Sequence, residues 1–276
     1  MKQIIFGLLS IIVIASCEEV VRLDIDSTEP VVVIEGLILD RQTTQYVKIS
    51  QSVNFYSETS SEPIRDANVY VTDGVLTYTF EHNPNDQAAY EGYYFSSNSF
   101  SGVAGKTYTL VADVHGTRYT ATDQLFPVTA IDSLTVRLNE EEFEDPEEEG
   151  YFYEVLFYAK EPQQTEDFYL FKFYRNDTLL LDGPTDIYFS DDKLIAEEIN
   201  GVPTAGFYKP GDIGRVEMYS ISNAGFIYYN DLINLLQSDG GMFGSPPVNP
   251  RNNISGGALG FFQCSSMVFK TIEVTD

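Results

Sequence analysis

Tryptophan is absent from this chain, and histidine and cysteine occur only twice each in 276 residues. His82 and His115 are too few and too far apart to form a metal pair. No H-E-x-x-H helix or Cys/His cluster is present. No G-x-S-x-G elbow, phosphate-cradling glycine loop or dinucleotide fingerprint occurs, and "GALG" and "GDIG" are glycine pairs without that context. The sequence therefore predicts no catalytic residue, no cofactor and no metal. The one hydrolytic chemistry it leaves open is a paired-carboxylate mechanism, which 42 acidic residues cannot exclude. Basic residues are scarce, 16 in all, giving a formal charge of −26. Such a surface argues against nucleic acid, whose backbone is met by lysine and arginine, and against lying flat on an anionic leaflet.

Long apolar runs are also missing. The stretch from Ile4 to Ala15, broken by Gly7 and Ser10, is well short of the ~20 residues needed to cross a bilayer as a helix. Met1, Lys2 and Gln3 precede it and small residues follow, the layout of a secretory leader over residues 1–16. Ile14-Ala15-Ser16-Cys17 resembles the lipobox of bacterial lipoproteins, which implies cleavage before Cys17 and lipidation of its thiol. Two or three acyl chains anchor far more firmly than one. That leaves Cys264 as the single free thiol, so no intramolecular disulfide is expected. Its apolar surroundings, "GFFQCSSMVF", predict a buried structural cysteine.

Tyrosine and phenylalanine number 19 each, and with many β-branched residues they favour strands. Residues 17–30, "CEEVVRLDIDSTEP", read as an acidic tether. From 31 to 126 apolar and polar residues broadly alternate, with turn signals at Asp73-Gly74 and His115-Gly116, the pattern of a β-sandwich. "FPVTAIDSL" opens a second β-rich domain, residues 127–276. Its acidic run 139–150 lacks the alternating ligands and central glycine of a calcium loop and is expected to be a solvated loop. Phe226, Tyr229, Ile233 and Leu236 fall at helical spacing and predict one amphipathic helix near 225–237, with Asn223 as its N-cap and Gly240-Gly241 as its stop. The fold class is thus mainly β, a β-sandwich followed by a second β-rich domain with one helix.

"CEEVVRLDID", "VVVIEGLI", "VKISQSVNFY", "IRDANVYVTDG", "GKTYTLVADVHGTRYTATDQL", "VTAIDSL" and "NPRNNISGGALGFFQCSS" occur in this order. Together they resemble a family of Bacteroidota lipoproteins catalogued as a domain of unknown function, number 4249 in that series. Ala67 to Asp123 also looks like the transthyretin-like sandwich of carboxypeptidase regulatory domains, so the first unit is expected to be immunoglobulin- or transthyretin-like. The resemblance implies an outer-membrane lipoprotein held by lipid at Cys17, without enzymatic activity, working beside a TonB-dependent receptor. The ligand is open. The acidic pair after Cys17 resembles a surface-export signal but lacks the preceding lysine or serine, so a periplasm-facing position stays open.

The expected function is an accessory or ligand-capture subunit for nutrient uptake. The alternatives are a structural or adhesive surface lipoprotein and, further off, a carboxylate-dependent hydrolase. Candidate ligand or partner contacts lie in the Gly/Pro/Asn-rich loop, at Pro246, Asn249, Arg251, Asn252 and Asn253. Asp26-Ser27-Thr28, Asp132-Ser133-Leu134 and Asp177-Thr178-Leu179 fit a short O-glycosylation triplet.

Overall fold

The computed structural model describes residues 29–53, 60–146, 148–162, 164–181, 183–192, 198–238 and 248–275. Cys17, the leader, most of the tether, Pro246 and the Gly240-Gly241 stop lie outside the described residues. The chain is mainly β with one long helix.

The first unit begins with β1 (Val32–Leu39), β2 (Tyr46–Gln51), β3 (Asn68–Thr72), β4 (Thr77–His82), β5 (Tyr93–Ser96), β6 (Thr107–Val114) and β7 (Thr117–Gln124). The two-residue period decides their faces. Ile34 and Ile38 of β1 and Val47 and Ile49 of β2 are fully buried in one core. His115 and Gly116, at φ +47° and +85°, make the tight β6–β7 turn that the sequence predicted. The Asp73-Gly74 turn is wider than two residues. The Asp73 carboxylate accepts the N–H groups of Val75 (2.9 Å) and Leu76 (2.7 Å), holding a loop from 73 to 76.

The second unit contains β8 (Ile131–Leu138), α1 (Glu140–Glu144), β9 (Tyr153–Lys160), β10 (Phe168–Arg175), β11 (Thr178–Leu179), β12 (Tyr188–Asp191), β13 (Glu198–Pro203), β14 (Ile213–Ile221) and α2 (Asn223–Leu236). The chain ends in β15 (Leu259–Ser265) and β16 (Met267–Glu273). Helix α1 corrects the expectation of a loop across 139–150. Asn139 Oδ1 accepts the N–H groups of Glu141 and Glu142 (both 3.0 Å), and three glutamates sit in the first turn, where the helix end is positive. A local cap and a favourable dipole thus outweigh charge repulsion over one turn and a half. The cap of α2 is Ser222, not Asn223; its Oγ accepts the Gly225 N–H at 3.2 Å. Phe226 and Tyr229 of the predicted stripe pack on the sheet, while Leu236 is exposed.

Three sheets result. β13-β9-β8 packs against the sheet β11-β10-β14-β16, with β12 also paired to β10, around Phe157, Tyr169, Phe171, Phe173, Val216 and Met218. The third sheet has eight strands in the order β15-β1-β2-β5-β4-β3-β6-β7. Its first strand therefore comes from the chain's last stretch, and β15 runs parallel to β1 with Ile34 opposite Gly260. β15 and β16 form one nearly unbroken run, so the strand expected to close the second unit belongs to both. Ser266 stands at the crossing. Its N–H donates to Ser220 Oγ (2.9 Å), and Ser265 Oγ donates to the Ser220 carbonyl (2.5 Å), so small hydroxyl side chains pair the polar groups where the run leaves one sheet for the other.

The two ends of the eight-stranded sheet, β15 and β7, are drawn together by side chains. Asn253 Nδ2 donates to the carbonyls of Thr122 (3.2 Å) and Phe262 (2.7 Å), and its Oδ1 accepts the Phe262 N–H (3.0 Å). Asp123 Oδ2 accepts the Cys264 N–H at 2.8 Å. The sheet thereby curls around a single core that includes Ile254, Phe262 and the fully buried Cys264.

Candidate functional site

The crossing of the last run brings β1 and β2 of the first unit beside β10, β14 and α2 of the second. A partly enclosed cavity of about 200 Å³ lies at this junction. β10 explains one wall. Tyr169, Phe171 and Phe173 point into the second core, which leaves Leu170 and Lys172 on the opposite face, lining the cavity. Tyr219 of β14, Tyr46 of β2, Tyr228 and Tyr229 of α2, and Phe261 and Gln263 of β15 complete most of it. Tyr228 stacks on Phe261 with ring centroids 4.9 Å apart.

The polar groups of this cavity divide into two sets. In the first, each group has an internal partner. Tyr229 Oη donates to Gln263 Oε1 (2.6 Å), whose Nε2 donates to Ser265 Oγ (2.7 Å). Tyr219 Oη donates to Glu217 Oε2 at 2.6 Å, and Glu35 pairs with Lys48 at 3.3 Å. In the second set, Lys172 has no carboxylate partner among the described residues. Its cross-strand neighbour is Glu217, but that carboxylate also takes the Tyr174 hydroxyl (3.0 Å) and lies 3.3 Å from Arg215 Nε. The ammonium sits instead 5.1 Å from the centre of the Tyr219 ring, a cation–π placement. Burial lowers the Lys172 pKa, with the Glu217 charge opposing. The Tyr46 and Tyr228 hydroxyls have no hydrogen-bond partner among the described residues. Burial first, then neighbouring tyrosine and glutamate charge, pushes the Tyr46 pKa up to about 12. Burial and Glu35 do the same for Tyr228. Both hydroxyls are therefore neutral donors at physiological pH.

The loop residues singled out from the sequence are placed differently. Arg251 forks onto Asp231 of α2 through Nε (2.7 Å) and Nη2 (2.9 Å). Asn252 donates to the Ala258 carbonyl (3.0 Å) and accepts the Ile254 N–H (3.0 Å), and Asn253 clamps β7 to β15. These three make their bonds within the chain, while Asn249 is exposed. A second, more open cleft of about 660 Å³ lies between β10, β12 and β13. Two of its polar side chains, Asn200 and Glu198, are bonded to each other at 3.0 Å. Among the described residues no group of three or more His, Cys, Asp or Glu is placed to hold a metal ion. No described helix is long and apolar enough to cross a membrane.

The fold and the cavity define a class: a mainly β protein of two interlocked units with a tyrosine-walled pocket where they meet. The family described as "Domain of unknown function (DUF4249)" matches residues 18–271, nearly the whole chain, and the protein belongs to that family. No curated protein matches it. Sequence reasoning missed the cavity, because its walls come from six different elements, β1, β2, β10, β14, α2 and β15. The one local hint was Lys172 breaking the aromatic alternation of "FYLFKFYR".

Proposed function

We propose that this protein is a non-enzymatic lipoprotein of the Bacteroidota outer membrane, anchored through Cys17, that captures a small ligand for a TonB-dependent receptor. The observation that carries the reading is the junction between leader and body. The lipobox-like Ile14-Ala15-Ser16-Cys17 ends one residue before the family match begins at residue 18. A pocket with uncommitted donors supports a binding role, and the acidic surface fits a body held clear of anionic lipid.

Radiolabelled palmitate should enter the wild-type protein and not a Cys17→Ala variant. Affinity capture of tagged protein from native outer membranes should recover a TonB-dependent receptor. Recovery without any such receptor overturns the capture role, and equal labelling of the variant overturns the anchor. Protease treatment of intact cells distinguishes a surface position from a periplasmic one.

A further inference from the structure

We propose that the junction cavity is a binding site for a small monocarboxylate with a flat apolar body, its carboxylate held by the Lys172 ammonium and the Tyr46 and Tyr228 hydroxyls. The inference gives a ligand class to the capture role and rests on that reading only for its biological use.

Charge is the first argument. Lys172 is the one basic residue in the lining of the cavity, and no described carboxylate forms a salt bridge with it. Around the cavity Glu35 is paired with Lys48 and Glu217 lies against Arg215, which leaves Lys172 without a salt bridge of its own and with only the longer-range attraction of Glu217. A desolvated ammonium costs free energy unless it is paired. The fold keeps it unpaired because the tyrosines hold its cross-strand partner. Burial moves its proton equilibrium in the same direction as that strain.

Shape is the second. The walls offer ring faces and aliphatic carbon from Leu170, Leu232, Tyr219 and Phe261, and few precise polar groups among apolar walls is the pattern of small-molecule sites. A volume near 200 Å³ lies below the range of drug-sized pockets, which begins at roughly 300 Å³. That suits a ligand about the size of a substituted benzoate. Lys172 is the single ammonium in the lining, so a second carboxylate would meet no cation of its own, and monoanions are selected over dianions.

The purified full-length protein is titrated with benzoate and 3-phenylpropionate, using benzamide and phthalate as controls. The lack of tryptophan leaves tyrosine emission as a direct readout, with calorimetry alongside. Benzoate or phenylpropionate should bind saturably, and benzamide and phthalate at least tenfold more weakly. Lys172→Met should weaken monocarboxylate binding at least tenfold without lowering the melting temperature, and Lys172→Arg should restore much of it. Tyr228→Phe should weaken it severalfold. Binding unchanged in Lys172→Met, or no saturable binding of either acid, overturns the site. The assay needs neither lipid nor receptor. A failed titration beside a recovered receptor therefore sinks the carboxylate site alone, and binding without any receptor sinks only the transport role.

Discussion

Lys172 and Glu217 stand opposite each other on β10 and β14, yet they form no salt bridge. Glu217 serves two tyrosine hydroxyls and Arg215 instead. The pair is therefore asymmetric: one member is embedded in a network and the other faces a cavity. Glu217→Ala should destabilise the fold by about 3 kcal/mol, since it strips an acceptor from buried donors. Lys172→Met should leave the denaturation midpoint unchanged or raise it. Urea titrations of both variants check this, and a large loss in Lys172→Met would show that the lysine is structural.

Asp123 gives a second prediction. It is 5 % exposed, and burial raises its pKa to about 6 against the hydrogen bonds from Cys264, Ser222 and Gln124 that favour its charged form. The folded-state value lies above the ordinary 3.8, so the folded protein binds the proton more tightly than the unfolded chain. This group's contribution to stability is thus fully present below pH 3.8 and is lost as pH rises through about 6. A shift of this size corresponds to about 3 kcal/mol. Asp123→Asn keeps an acceptor for the Cys264 N–H and should remove that component. Wild-type minus variant stability should fall across this window and be flat above it. A difference independent of pH would contradict the assignment.

Gly260 is required by its place against β1. Its φ is +97°, and a Cβ there would run into the Ile34 backbone. Gly260→Ala should cost at least about 2 kcal/mol. Gly257, at φ +78° with open space around it, is the control and should cost about 1 kcal/mol. Thermal melts of the two variants separate crowding from backbone conformation.

The asparagine loop supplies the fourth prediction. Asn253→Ala removes three bonds joining β7 to β15 and should cost about 2–3 kcal/mol. Asn249→Ala, at an exposed position, should stay within about 0.5 kcal/mol. If Asn249→Ala proved as costly as Asn253→Ala, the clamp would not be specific to Asn253.

What the sequence disclosed was local. The β6–β7 turn was readable because His115-Gly116 carries its own backbone preference, and α2 because its apolar spacing repeats every turn. Its cap slipped by one residue, since Ser222 and Asn223 are both good caps and only the Gly225 N–H selects between them. The short helix α1 was hidden under its charges, although Asn139 was visible. The rest was non-local. "FFQCSSMVFKTIE" looks like one strand of one sheet, and nothing in its pattern marks Ser266 as a crossing. The cavity depends on that crossing, so Lys172, Tyr46 and Tyr228 could be seen as residues but not as neighbours.

The shared last run sets the order in which the molecule can be completed. The first unit is sealed from a distance, because Asn253, Gly260 and Cys264, which close it, follow the whole stretch from β8 to α2 in the chain. Until they arrive, β1 and β7 present open edges to any passing strand. Pairing between β1 and the distant β15 also makes closure a slow, long-range event. Trimming the C-terminus back past Leu259 would remove none of the first seven strands, yet it would open the sheet they form. The folding unit built on β1 to β7 is therefore discontinuous in sequence, and its integrity reports whether β15 has been delivered.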